Sequence, residues 1–386
     1  MLSAPLAGLC VVSVEQYGAG PFGTQLLASL GAEVIKIENP RDGGDVSRQV
    51  GPYFTPGVAK DRASLFFQGL NRHKRSVALD LSVARDRKAF ERLVAGADAL
   101  ACNLRGDVPA KLGLTYATLG QIKPELVCAH LTAYGRDGPR AAWPGYDFLV
   151  QAEAGYFSIN GEPGAVPSRF PLSIIDLMAG YAMALGLLAG VLDARRTGRG
   201  RDIDVSLFDV GLFNLNYLAT WFLNAGHVQS QEPRSAHASL TPCQLYRTSD
   251  GWIYIMCNKE KFWTALCAKL GRREYVSDPR FVDFAARLKN RAVLTELLDA
   301  AFAPRTTKAW LDELAGQVPC APVHDIRAAL ESPYVTDSGR IETLHHPEGA
   351  AIRLLRSPIL AGHEPEGRLA PSLGADTRPL LGEIDA

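Results

Sequence analysis

Leu9-Cys10-Val11-Val12-Ser13-Val14-Glu15, then Gly18-Ala19-Gly20-Pro21-Phe22-Gly23, then Glu33-Val34-Ile35-Lys36-Ile37-Glu38: the opening of this chain decides its fold. The first run is apolar and β-branched, the glycines mark a turn, Thr24 to Leu30 carries a helical pattern, and the third run reads as another strand. Strand, turn, helix and strand make a βαβ unit, and such a unit implies a parallel sheet. Gly18, Gly20 and Gly23 also satisfy G-x-G-x-x-G, and Glu38 stands twenty positions after Gly18, where a dinucleotide-binding fold holds a ribose. An NAD-dependent dehydrogenase is therefore one reading of the stretch.

Further along, strands are expected at Val77 to Leu81, Ala99 to Cys102 and Leu126 to Leu131, between helices at Arg85 to Ala95 and around Pro109 to Ile122. Asn39 to Arg62, rich in Gly, Pro and charge, should be a long surface loop. Asn103-Leu104-Arg105-Gly106 forms the turn at a strand's carboxyl end, the edge of an open parallel sheet that ligands favour. Helices around Tyr146 to Ala154 and Asp176 to Arg195 follow, then Ile203-Asp204-Val205 and a helical pattern from Ser206 to Asn224. Past the polar Gly226 to Pro233 the texture changes. Cys243 to Arg247 and Trp252 to Cys257 flank Ser249-Asp250-Gly251, a hairpin signature, and helices at Lys261 to Leu270, Arg287 to Phe302 and Thr307 to Leu314 follow. The organisation expected is a large α/β domain over 1–225 with a linking helix at 206–225, a small α+β domain over 226–330, and a segment at 331–386 returning to the large domain.

At 386 residues the chain exceeds a usual single core. Lys and Arg together number 41, as do Asp and Glu, which suits a small-molecule enzyme better than a nucleic-acid binder. The seven cysteines include no C-x-x-C pair and look like small buried hydrophobes in a reducing compartment. The eight histidines lack metal-ligand spacing, so no metal site is expected. Met1-Leu2-Ser3-Ala4-Pro5 does not resemble a signal peptide, and a cytoplasmic protein is expected. No G-x-S-x-G elbow and no Walker sequence occurs.

Asp176 heads a long apolar run, Leu177 to Leu192, that is short for a membrane span and rich in small residues, as a buried core helix would be. An Asp at a helix start is ordinarily an N-cap. With Ile174, Ile175 and Leu177 around it, the carboxylate could also be shielded from water, where it is a stronger nucleophile. Both readings stand on pattern alone.

Ala19-Gly20-Pro21-Phe22, Leu30-Gly31-Ala32-Glu33-Val34-Ile35-Lys36-Ile37-Glu38, Asn71-x-x-Lys74-Arg75-Ser76, Leu112-Gly113-Leu114, Gly145-Tyr146-Asp147, Ile175-Asp176-Leu177 and Thr197-Gly198-x-Gly200 occur in that order. Together they resemble the class III CoA-transferases, the CaiB/BaiF family that includes formyl-CoA transferase. The resemblance implies a Rossmann-like large domain, a small domain and two subunits threaded through each other like linked rings. It implies acyl-CoA and a free carboxylic acid as substrates, with short dicarboxylates such as succinate suggested by the wider family, and no tightly bound cofactor. It places the nucleophile at Asp176, ionised at neutral pH and needing no general base. It places CoA contacts near Tyr17, Gly18, Ala19, Asn39, the strand from Leu79, Asn103, Leu104, Arg105, Lys111 and Tyr146, and gives Glu38 an ordinary role at a strand end. Gly18 stands where many members carry a glutamine, and the glycine-rich flap of formyl-CoA transferase has no counterpart. A sister branch resembling α-methylacyl-CoA racemase has histidine where this chain has Tyr146, and a phenol is a poor base at neutral pH. A non-catalytic CoA-binding scaffold is the remaining alternative.

Overall fold

The computed structural model describes residues 4–58, 64–349, 351–362 and 365–382; the end of the Asn39 to Arg62 loop and Met1-Leu2-Ser3 lie outside them. The opening stretch forms β1 (Cys10–Val14), α1 (Ala19–Ser29) and β2 (Glu33–Glu38). There follow α2 (Leu65–Asn71), β3 (Arg75–Ala78), α3 (Ala84–Ala95), β4 (Ala99–Cys102), α4 (Val108–Lys111), α5 (Tyr116–Leu119) and β5 (Val127–Thr132). The chain continues through α6 (Asp147–Glu153), α7 (Tyr156–Ile159), α8 (Ile174–Thr197), β6 (Arg201–Ser206), α9 (Leu207–Asn214) and α10 (Tyr217–Ala225).

The six strands form one sheet in the order β3-β2-β1-β4-β5-β6, and every pairing is parallel. Val12 is in register with Ile35 on one side and Leu100 on the other. The order reverses between β1 and β4, and in open α/β sheets the ligand crevice opens outside the carboxyl ends at that point. The third strand is shorter than its apolar pattern. Pairing ends at Ala78, and Asp80 then accepts bonds from the Ser82 amide (2.9 Å) and hydroxyl (2.6 Å), a local turn that ends the extended run.

One face of the sheet is covered by a core in which Val12, Leu100 and Cys128 meet Phe90 and Val94 of α3. On the sheet's other face α1 and α8 lie against each other where glycines let their backbones approach. A Cβ on Gly23 would sit 2.7 Å from the Gly180 carbonyl oxygen, and one on Gly180 would sit 2.8 Å from that of Ala19. By length and composition α8 could cross a membrane, yet half of its most apolar window is buried within the protein, against α1, β5 and β6. The helix expected over Ser206 to Asn224 is two, because Asn216 adopts φ 49° between α9 and α10, and Asn accepts that left-handed geometry at low cost. The helix expected over Arg287 to Phe302 is likewise divided, at Asn290.

Two compact units emerge. The larger comprises Met1–Ala154, Phe170–Ala219 and Gly339–Ala386; the smaller comprises Gly155–Arg169 and Thr220–Ser338. The smaller holds the antiparallel sheet β7 (Cys243–Arg247), β8 (Trp252–Met256) and β9 (Cys320–Pro322), over a core of Trp263, Phe281, Phe302 and Trp310. In the larger unit, the antiparallel pair β10 (Ile341–His345) and β11 (Ala351–Leu355) is tied to Arg72, which pairs with Glu342 and donates to the Leu355 carbonyl at 2.7 Å. The outer edge of β3 is closed by the same C-terminal region. Asp376 accepts from the Ser76 amide (3.0 Å) and donates its own amide to the Ser76 carbonyl (2.9 Å), while Thr377 Oγ1 accepts from the Ala78 amide (2.9 Å).

Candidate active site

A helix that crosses between parallel strands runs back along the sheet, so α8, lying between β5 and β6, starts at the carboxyl edge. Asp176 is its third residue and is 8% exposed. It is not the cap: the cap position is Ser173, whose side chain makes no capping bond. The cap comes from Asp147 at the start of α6, whose Oδ2 accepts from the Ile175 amide (2.6 Å) and the Asp176 amide (2.9 Å). Gln151 steadies Asp147 through Nε2 at 2.5 Å and reaches the Leu172 carbonyl at 3.0 Å. With the leading amides satisfied by another residue, the Asp176 side chain is left available for chemistry.

That arrangement also sets its charge. Burial pushes the Asp176 carboxyl up, the negative charge of Asp147 pushes it further, and it reaches about 7 instead of the ordinary 3.8. The expectation is of a carboxylate ionised at neutral pH; its enclosure and the neighbouring Asp147 shift the balance toward the protonated form.

Asp176 opens into a cleft of about 740 Å³ at the β1/β4 reversal. Tyr17, Gly18 and Ala19, after β1, line it, as do Asn103, Leu104 and Arg105, after β4. Tyr146, 63% exposed, and Trp143 line it from the segment before α6. A neighbouring cavity of about 410 Å³ shares Gln16 and Leu104 with the cleft and is lined by Asn39, Leu79 and Ser82 at the ends of β2 and β3. Ten of the eleven site residues expected from sequence thus line these two adjoining spaces. Lys111 does not. Its amine lies 2.6 Å from Asp107, which also receives Arg105 at 2.5 and 3.0 Å, so the two cations share one half-buried carboxylate.

The glycines have roles that the motif does not state. A Cβ on Gly18 would lie 2.6 Å from Asp176 Oδ2, and one on Gly20 would lie 2.8 Å from Asn103 Cγ. They make room for the carboxylate and for Asn103, and Gly23 makes room for α8, so the spacing serves close packing. Glu38 is not available to a ribose. It takes Arg48 through both oxygens (2.6 and 2.8 Å), the Ser76 hydroxyl (2.6 Å) and the Asp45 amide (2.9 Å), all buried. The dehydrogenase reading loses both of its supports.

Sequence reasoning missed Asp147, although the Gly145-Tyr146-Asp147 motif holds it; an Asp at the head of α6 would be assigned to its own helix. It also missed that Asn103 builds the turn it faces. Asn103 Oδ1 accepts from the Gln16 amide (2.8 Å) and Nδ2 donates to the Gln16 carbonyl (2.7 Å).

The model of CoA-transferase family III matches residues 6–377. Succinate–glutarate CoA-transferase from Agrobacterium fabrum is 30% identical over 393 residues, covering 99% of this chain and 96% of the relative. Acetyl-CoA:oxalate CoA-transferase from Acetobacter aceti is 35% identical over 332 residues, covering 85% and 83%. Among solved structures, a CaiB/BaiF family protein from Brucella suis superposes with a TM-score of 0.84 at 32% identity, over 100% of both chains.

Proposed function

The chain belongs to CoA-transferase family III, and we propose that it transfers CoA from an acyl-CoA thioester to a free carboxylic acid through Asp176. The family membership makes it an enzyme acting on acyl-CoA. The observation that carries the reading is Asp176 itself: a buried carboxyl, relieved of capping by Asp147, at the mouth of a cleft formed at the sheet's reversal point.

In its ionised form Asp176 attacks the thioester carbonyl; the carbon–sulfur bond breaks and CoA leaves as thiolate, giving a mixed anhydride. The thiolate attacks the aspartyl carbonyl, releasing the donor acid and leaving an aspartyl-CoA thioester. The acceptor carboxylate attacks that thioester, again expelling CoA, and the thiolate then takes the acceptor acyl group and frees Asp176. Each step develops an oxyanion. The N–H groups of Ala19 and Gly20, the first two residues of α1 beside the carboxylate, are the donors we assign to it, since Pro21 has none and Phe22 already donates to the Gly18 carbonyl (2.9 Å). CoA lies along the edge formed by Tyr17, Gly18, Ala19, Asn39, Leu79, Asn103, Leu104 and Tyr146, with Arg105 beside it for phosphate.

A short dicarboxylate such as succinate is our choice of donor or acceptor, supported by relatives whose names pair CoA transfer with succinate, glutarate and oxalate. Two subunits interlock in this reading, with CoA bound by the larger unit, to which the chain returns at Gly339 after the smaller one. It is supported by apolar side chains that one subunit leaves in water, among them Leu185 (71% exposed), Leu192 (69%) and Phe213 (82%). The enzyme acts in the cytoplasm, in keeping with seven free cysteines.

Asp176→Ala tests the reading. It abolishes exchange of labelled CoA between two acids, and the native enzyme with acyl-CoA accumulates a hydroxylamine-sensitive thioester on Asp176. Exchange that persists in the variant removes Asp176 as the nucleophile; solvent deuterium entering the α-carbon without an acceptor acid assigns a racemase instead.

A further inference from the structure

The turn from Gln16 to Gly18 lies against Asp176 and carries a conformation its sequence does not favour. Tyr17 sits at φ 68°, in the left-handed region, which is unfavourable for a non-glycine residue. Its neighbour Gly18 lies so close to the carboxylate that a Cβ there would sit 2.6 Å from Asp176 Oδ2, so the placement of the turn sets the space around the nucleophile. Something outside the turn must hold it. Asn103 grips Gln16, as described, and a second residue grips Tyr17: the Tyr17 amide donates to Asp45 Oδ1 at 3.0 Å.

Asp45 is far more firmly placed than a loop residue needs to be. It is 3% exposed, and its Oδ2 receives Lys36 Nζ at 2.7 Å, both side chains being fully buried. Lys36 projects from β2, so the sheet itself fixes the carboxylate. Ser47 also donates to Oδ1, through its amide (2.8 Å) and its hydroxyl (2.7 Å). Buried ion pairs contribute little net stability compared with apolar replacements of similar shape, because desolvation offsets attraction. What this one supplies is a carboxylate oxygen at a fixed point in space.

We propose that Asp45 is a positioning residue for the transfer step: anchored on Lys36, it latches the Tyr17 amide and so holds the Gln16 to Gly18 turn in register with Asp176. The proposal rests on Asp176 as nucleophile. Asp45 touches no reacting atom; it acts through the backbone that forms one wall of the cleft and leads into α1.

The test is steady-state kinetics of CoA transfer on the full chain, with thermal stability measured alongside. Asp45→Asn keeps an oxygen for Tyr17 but weakens the hold of Lys36, and it lowers kcat by about tenfold or more while KM for acyl-CoA changes less than about twofold, since sub-ångström errors in placement act on the reacting geometry. Ser47→Ala removes a bond to the same oxygen without touching the turn; it lowers stability and leaves kcat unchanged. In a Tyr17→Gly background, where positive φ is free of strain, Asp45→Asn lowers kcat by less than about threefold. An equal loss of kcat in both backgrounds, or a change confined to KM, overturns the proposal. If Asp45→Asn fails to fold, Asp45→Glu, which keeps the charge and moves the carboxylate by one methylene, is measured in its place against the same criteria. Exchange persisting in Asp176→Ala overturns this proposal together with the nucleophile reading; a KM-only effect of Asp45→Asn overturns this proposal alone.

Discussion

Asp176→Asn should make the ligand-free protein more stable, and only above mildly acid pH. The carboxyl rises from 3.8 to about 7 on folding, which corresponds to about 4 kcal/mol of differential interaction between its protonated and ionised forms. The sign follows from proton linkage. The native state holds the proton more tightly than the unfolded chain, so Asp176 favours folding below pH 4, and that contribution is lost as pH rises through about 7. Above pH 7 the folded protein carries an ionised carboxylate, buried beside Asp147, that the unfolded chain would leave in water. Asparagine fills nearly the same volume and carries no charge. The stability difference between variant and native protein should be near zero at pH 4, grow between pH 4 and 7, and level off above 7 at no more than about 4 kcal/mol, less the desolvation of an amide. Denaturant unfolding of both proteins without ligand, at pH 4.5, 6, 7 and 8.5, measures it. A difference that does not change with pH, or a variant less stable at pH 8.5, would refute the claim that burial and Asp147 hold the carboxyl up.

Two further outcomes follow from the same site. kcat/KM for transfer should rise with pH through about 7 as Asp176 ionises in the free enzyme, and in Asp147→Asn, which removes the like charge but keeps an acceptor for the α8 amides, that rise should move to lower pH; a pH–rate series on both proteins checks it. Gly18→Ala puts a Cβ 2.6 Å from the movable end of the Asp176 side chain, so activity should fall about a hundredfold with stability nearly intact, whereas Gly180→Ala, whose Cβ meets the Ala19 backbone at 2.8 Å, should lose about 1–3 kcal/mol; activity and melting measurements separate the two.

The local patterns of the chain carried most of the sheet. β1, α1 and β2 announce themselves because each is recognisable within a few residues, and β4 and the hairpin of β7 and β8 stand where their runs lie. Features set by distant partners were not legible. Asp147 caps a helix whose amides lie 28 and 29 positions downstream, whereas a capping signal is ordinarily sought within a turn, so Asp176 itself looked like the cap. Glu38 matched a ribose-binding acid by spacing, and only its contacts with Arg48 and Ser76 show it to be committed elsewhere. The breaks at Asn216 and Asn290 interrupt helical patterns that run on through them, because backbone geometry changes there without a change in hydrophobic periodicity. The protonation of Asp176 depends on enclosure and on a neighbouring charge, neither of which a linear reading contains.

The seal on β3 has a consequence for how the chain is made. Ser76 and Ala78 present their amides to residues 300 and 299 positions later, so the outermost strand is translated well before the segment that covers it. During that interval the edge is a template on which another strand could grow. Arg75, at the head of β3 and 3.1 Å from Glu33, puts a charge on the exposed strand during that interval, a feature that discourages sheets from joining edge to edge. A chain released before Asp376 would keep the sheet and lose its cover, and its first symptom would be aggregation, ahead of any failure in chemistry.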